Sequence, residues 1–167
     1  MGRAFVFGDN IDTDVLAPGY LMKLPPAELA RRCLEAVDPS FAKTVNPGDF
    51  VVAGRNFGMG SSREQAAVSL RELGVKAVLA PSFARIFFRN AINLGLPALV
   101  FEGRGTVAAG DELNLDLASG RLTNQTRGET YQLKPLPPNL MAIIEAGGLM
   151  PMLKRRFAAS RPPGASG

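Results

Sequence analysis

Hydrophobic positions change period along the chain, and the changes divide it into two kinds of structure. Four short apolar runs, Ala4 to Gly8, Phe50 to Ala53, Lys76 to Ala80 and Pro97 to Phe101, have the length and composition of buried strands. Helical spacings separate them. After Pro25-Pro26, Ala30, Cys33, Leu34 and Val37 share one helical face. Ala66, Leu70 and Leu73 mark a helix over 64–73 that Gly74 stops, and Phe83, Ile86, Phe87, Ala91 and Leu94 mark another, opened by Pro81-Ser82 and ended by Gly95. Strands alternating with helices at this spacing predict parallel β-α-β units.

From Asp111 to Leu117 the period becomes two, the mark of a half-buried strand. Arg121 to Thr123 and Thr130 to Leu133 add short strands after the turn at Ala118-Ser119-Gly120. A last helix starts at Pro137-Pro138, runs to Glu145 and stops at Gly147-Gly148. The expected fold is α/β, a mostly parallel sheet with flanking helices and an antiparallel C-terminal elaboration. Residues 1–153 form one domain. Residues 154–167, basic at Lys154-Arg155-Arg156 and then rich in Ser, Pro and Gly, are expected to be a poorly ordered tail.

Composition narrows the chemistry. With 167 residues and 46% hydrophobic content, the chain supports one real core. It has no apolar run of about 18 residues and no signal-peptide pattern, and its single cysteine, Cys33, excludes an internal disulfide; a cytoplasmic protein without a membrane segment is expected. There is no histidine. Ser-His-Asp and Cys-His catalysis therefore cannot be assembled within the chain, nor can a metal or iron-sulfur site built only from Cys and His. Any metal chemistry has to come from a partner. The net charge of +4 is spread along the sequence and aromatic residues are 7%, which reads against a nucleic-acid surface; an acidic substrate or partner accounts for the charge equally well.

One stretch stands out, Gly54 to Gln65, reading Gly-Arg-Asn-Phe-Gly-Met-Gly-Ser-Ser-Arg-Glu-Gln between a strand and a helix. Gly58 and Gly60 permit positive φ and close approach to a ligand, Ser61 or Ser62 can cap the helix, and Arg63 adds a guanidinium. Together these suit a carboxylate or phosphate. The dinucleotide fingerprint fails because Arg63 stands where its third glycine belongs, and no Gly-Lys-Ser/Thr follows for a P-loop. The acidic loop Asp9-Asn10-Ile11-Asp12-Thr13-Asp14 lacks the glycine and terminal Glu of a calcium loop, so Asp12 and Asp14 read as mainly structural.

Four ordered segments carry a resemblance: Gly8 to Asp14, Gly60-Ser61-Ser62-Arg63-Glu64, Ser82 to Asn90 and Asn93-Leu94-Gly95-Leu96-Pro97. From about Phe5 to Leu153 the chain resembles the small subunit of 3-isopropylmalate dehydratase, the swivelling β/β/α domain of the aconitase superfamily. The resemblance implies a hydro-lyase acting on a hydroxy-dicarboxylate, with a [4Fe-4S] cluster in a separate large subunit and none bound by this chain. It implies Ser61 as the base, acting as an alkoxide stabilised by helix-start amides and positive charge, and Ser62 and Arg63 as holders of a substrate carboxylate. It places the loop that reads the substrate's substituent at Met22-Lys23-Leu24: Met22 and Leu24 suit an alkyl group, Lys23 an additional carboxylate. Homoaconitase or another alkylmalate hydro-lyase is the close alternative, and a non-catalytic module binding an anion or nucleic acid the more distant one. Met59 and Gln65 stand where the family usually has Cys and His. Arg85 and Arg89 read as structural.

Overall fold

A computed structural model describes residues 1–159. One seven-stranded sheet runs through it in the order β4-β3-β2-β1-β5-β6-β7. The parallel half consists of β1 (Gly2–Val6), β2 (Phe50–Val52), β3 (Ala77–Ala80) and β4 (Ala98–Val100). Its register sets Ala4 against Phe50, Phe50 against Ala77 and Val78 against Ala98. The antiparallel half, β5 (Glu112–Asp116), β6 (Arg121–Asn124) and β7 (Glu129–Gln132), joins through β1 and β5.

Both faces of the central strands β2 and β3 are buried, which is why these strands read as continuous apolar runs. On one face Val51, Val78, Ala80 and Ala98 meet Leu16, Leu29, Cys33, Phe41, Ala66 and Leu70. Phe41, fully buried, takes the rings of Phe5 and Phe7 edge-on at 5.1 and 5.5 Å between centroids. On the other face Phe50, Val52, Ala77, Leu79 and Leu99 meet Leu113, Leu115, Leu122 and Leu133. The sheet therefore curls its antiparallel half over its parallel half. In β5 the expected alternation is observed, Leu113 and Leu115 pointing in while Glu112, Asn114 and Asp116 point out.

Helices α4 (Gln65–Glu72) and α5 (Arg85–Asn93) connect β2 to β3 and β3 to β4, and Gly74 and Gly95 end them with φ of +81° and +80°. Between β1 and β2 lie α1 (Thr13–Leu16), α2 (Pro26–Ala30) and α3 (Phe41–Thr44). After β7 come α6 (Pro138–Glu145) and α7 (Leu149–Ala159). Among the described residues no helix is long and apolar enough to cross a membrane.

Four local expectations change. The apolar face from Ala30 to Val37 is not one helix: Leu34 adopts φ +60° and donates its amide to the Val15 carbonyl at 3.0 Å, and Val37 is left half exposed. Helix α5 begins at Arg85, three residues after Ser82, because Phe83 and Ala84 stay extended to bond Phe57; Ile86 consequently faces outward at 48% exposure. Asp12 to Asp14 is not only loop, since Asp12 caps α1 by accepting from the Val15 amide at 2.8 Å. Finally, Lys154-Arg155-Arg156 stands on α7 and not in a tail; the Ser/Pro/Gly-rich end lies outside the described residues.

Candidate active site

The loops that follow β1 and β2 leave neighbouring parallel strands at their carboxyl ends, the usual place for a ligand in such sheets. They are laced together. Asp9 Oδ1 accepts from the Arg55 amide at 2.8 Å, the Asn10 amide donates to the Arg55 carbonyl at 2.8 Å, and Asn56 Nδ2 reaches Asn10 Oδ1 at 3.1 Å. Gly54 makes this possible, because a Cβ there would lie 1.9 Å from Asp9 Oδ1. Further along, the Gly58 amide donates to the Ile11 carbonyl and the Thr13 amide to the Met59 carbonyl, at 2.7 and 2.8 Å.

Beneath the second loop, Phe57, Phe83 and Phe87 form an aromatic floor with centroids 5.1 to 6.3 Å apart. Gly58, at φ +83°, rests directly on Phe87, where a Cβ would come within 2.2 Å of the ring. That contact lifts Gly60, Ser61 and Ser62 to the surface, all three exposed.

The neighbouring α1 holds both chemical groups of the turn. Thr13 Oγ1 accepts from the Ser61 amide at 3.2 Å and lies 3.2 Å from Ser61 Oγ. Arg63 Nη1 donates to Asp14 Oδ1 at 3.1 Å and to the Ala17 carbonyl at 2.9 Å. The Gly19 amide, at 2.9 Å, and the Arg63 guanidinium hold the Asp14 carboxyl below the usual carboxylate range. One guanidinium edge is thus fixed by the protein, and a guanidinium has five N–H donors, so donors remain for a second carboxylate.

The serines do not cap the following helix. Helix α4 begins at Gln65, its cap residue Glu64 makes no side-chain capping bond, and Ser61 stands four residues before the first helical turn. Free amides are nevertheless present: among the described residues, those of Ser62, Arg63 and Glu64 donate to no other group. The turn therefore offers two exposed hydroxyls, unpaired amides and a positioned guanidinium on one open surface.

The loop at Met22-Lys23-Leu24 follows a short 3₁₀ turn at Gly19–Leu21, whose Gly19 lies beside Arg63. Met22 and Leu24 are half-buried against the first core cluster and Lys23 is exposed. Arg85 and Arg89 are exposed on α5. Cys33 is fully buried, and burial pushes its thiol well above the ordinary range, as befits a core residue. A concavity of about 790 Å³ lies elsewhere, between β4 and the chain after β7, lined by Phe88, Leu99, Phe101, Tyr131, Leu133 and Leu136 among others; no residue of the Ser61 turn borders it.

Sequence reasoning missed Thr13 and the pairing role of Asp14. The signal was present, an aspartate before Thr-Asp-Val-Leu, which is a capped helix start.

Residues 30–104 match the family described as the aconitase C-terminal domain. The chain is 51% identical over 163 residues to the 3-isopropylmalate dehydratase small subunit of Moorella thermoacetica, covering 95% of this chain and 97% of the relative. It is 49% identical over 162 residues to the isopropylmalate/citramalate isomerase small subunit of Methanocaldococcus jannaschii, covering 96% of each. The crystal structure of a 3-isopropylmalate dehydratase, LeuD, from M. jannaschii superposes with a TM-score of 0.90 at 42% identity over 95% of both chains. With this identity along nearly its whole length, the chain belongs to the family of 3-isopropylmalate dehydratase small subunits.

Proposed function

We propose that this chain is the base-carrying half of a 3-isopropylmalate dehydratase, exchanging 2- and 3-isopropylmalate by loss and return of water. The observation that carries the reading is the exposed Ser61 beside a guanidinium fixed two residues on, in a chain of this family. Dehydration of a hydroxy acid needs a base for a weakly acidic C–H and a Lewis acid for the departing hydroxyl. Ser61 Oγ, ionised, takes the proton from the carbon next to the one bearing the hydroxyl. The C–H electron pair becomes the alkene bond and the hydroxyl leaves with the C–O pair. Return of water across the alkene in the opposite sense, with Ser61 giving its proton back, yields the isomer. Arg63 and Ser62 hold a substrate carboxylate and so fix the carbon acid relative to Ser61.

The Lewis acid of this reading is a [4Fe-4S] cluster, which would supply polarisation of the departing hydroxyl if held by a partner subunit. The residues here do not fit such a group: the chain has no histidine and one cysteine, and that cysteine is sealed in the core. In this reading a cluster-bearing large subunit, implied by the small-subunit name of the relatives, covers the open face of the turn. Met59 and Ile86, 40% and 48% exposed on either side of the Gly58 and Phe87 contact, offer it apolar surface.

A broader alkylmalate reading is favoured by one observation, that the M. jannaschii relative is named for citramalate as well as isopropylmalate. The test is dehydratase activity after anaerobic mixing with the cluster-loaded large subunit, comparing 2-isopropylmalate, citramalate and a homocitrate-type substrate. Activity on isopropylmalate is expected. Preference for the substrate with the extra carboxylate assigns the chain to homoaconitase with Lys23 as its reader, and anion binding by the chain alone with no turnover leaves the non-catalytic module.

A further inference from the structure

From the hydrogen bonds at Thr13 we infer that this residue positions Ser61 and stabilises its ionised form, an inference that rests on Ser61 being the base. Thr13 is only 3% exposed, so its side chain is held by the protein and not by solvent. Among the described residues its Oγ1 has only two hydrogen-bond partners, the amide and the hydroxyl of Ser61, each at 3.2 Å. A hydroxyl has one hydrogen and two lone pairs. The Ser61 amide uses a lone pair. While Ser61 is neutral either hydroxyl can donate to the other, but an alkoxide carries no hydrogen, so at that contact Thr13 becomes the donor.

Thr13 is thus a donor aimed where negative charge develops, held beside the turn by the bond its Oγ1 accepts from the Ser61 amide. Gly60 permits the approach, since a Cβ there would already lie 3.0 Å from Thr13 Oγ1. This supplies from α1 a donor to Ser61 Oγ, a role that a helix start at Ser61 itself does not fill. The ionisable groups around the pair are otherwise engaged or exposed. Asp12 accepts from the Val15 amide, Asp14 and Arg63 are paired to each other, and Glu64, Arg85 and Arg89 are exposed on the turn into α4 and on α5.

The experiment uses the complete two-subunit enzyme with Thr13→Val, which keeps the branched shape, and Thr13→Ser, which keeps the hydroxyl. A hydrogen bond to a charged group is worth about 1.5–3 kcal/mol, so Thr13→Val is expected to lower kcat/KM roughly 10- to 150-fold. It should also move the acid limb of the kcat/KM profile to higher pH, with KM little changed, while Thr13→Ser restores both rate and limb. An unmoved pH limb in a folded, assembled Thr13→Val enzyme overturns the proposal. So does a Thr13→Ser variant as impaired as the valine. Ser61→Ala, run alongside, separates the two claims: full activity there removes Ser61 as the base, whatever Thr13 does.

Discussion

Arg63 Nη1 lies 3.1 Å from Asp14 Oδ1, and this pair ties the Ser61 turn to α1. As an ion pair it adds little to stability, because Asp14 is largely exposed to water. Its effect is on direction, holding Nη1 between the Asp14 carboxylate and the Ala17 carbonyl and so fixing the plane of the guanidinium. Asp14→Asn should therefore raise KM for the dicarboxylate severalfold, lower kcat less, and leave the thermal midpoint nearly unchanged. Steady-state kinetics of the assembled enzyme checks this, and an unaltered KM would show that Arg63 needs no such support.

Asp111 gives the chain a pH dependence away from the site. Its Oδ2 accepts from Asn124 Nδ2, the Ala108 amide and Arg127 Nε at 2.8 to 2.9 Å, joining the turn before β5 to β6 and the turn after it. These bonds, that from Asn124 foremost, lower its pKa to about 2. The unfolded value is about 3.9. Since the folded value is the lower, the contribution is complete above about pH 4 and disappears as pH falls toward about 2. The gap in unfolding midpoint between the wild-type chain and Asp111→Asn should be widest near neutrality and close over that range. A gap that stays constant down to pH 2 contradicts the assignment.

Gly58 bears on both stability and the site. Gly58→Ala forces a side chain into a positive-φ position and against Phe87, and should destabilise by roughly 2–4 kcal/mol. Urea unfolding measures it. Activity should fall as well, because the turn that presents Ser61 rests on this contact.

Much of the fold was legible where local pattern and tertiary environment agree. Val51, Val78 and Leu79 are buried on two strands covered on both faces, and Leu113 and Leu115 alternate on one covered on a single face. Legibility failed where one long-range bond overrides a local pattern. Leu34 leaves helical geometry while its amide bonds to Val15, and Ala84 stays extended while its amide bonds to the Phe57 carbonyl at 2.9 Å. The site followed the same rule. Ser61, Ser62 and Arg63 are contiguous and carry their own signal, whereas Thr13 acts across 48 residues of sequence, and only pairing of β1 with β2 brings the two loops together.

The most direct measurement is kcat/KM for 2-isopropylmalate with Ser61→Ala in the assembled, cluster-loaded enzyme, with subunit association checked in the same samples. Loss of a general base is worth about 10²- to 10⁴-fold, and a fall of that size with association intact is expected. A variant that assembles and retains activity within a few fold of the wild-type enzyme would place the base elsewhere and contradict the assignment of Ser61.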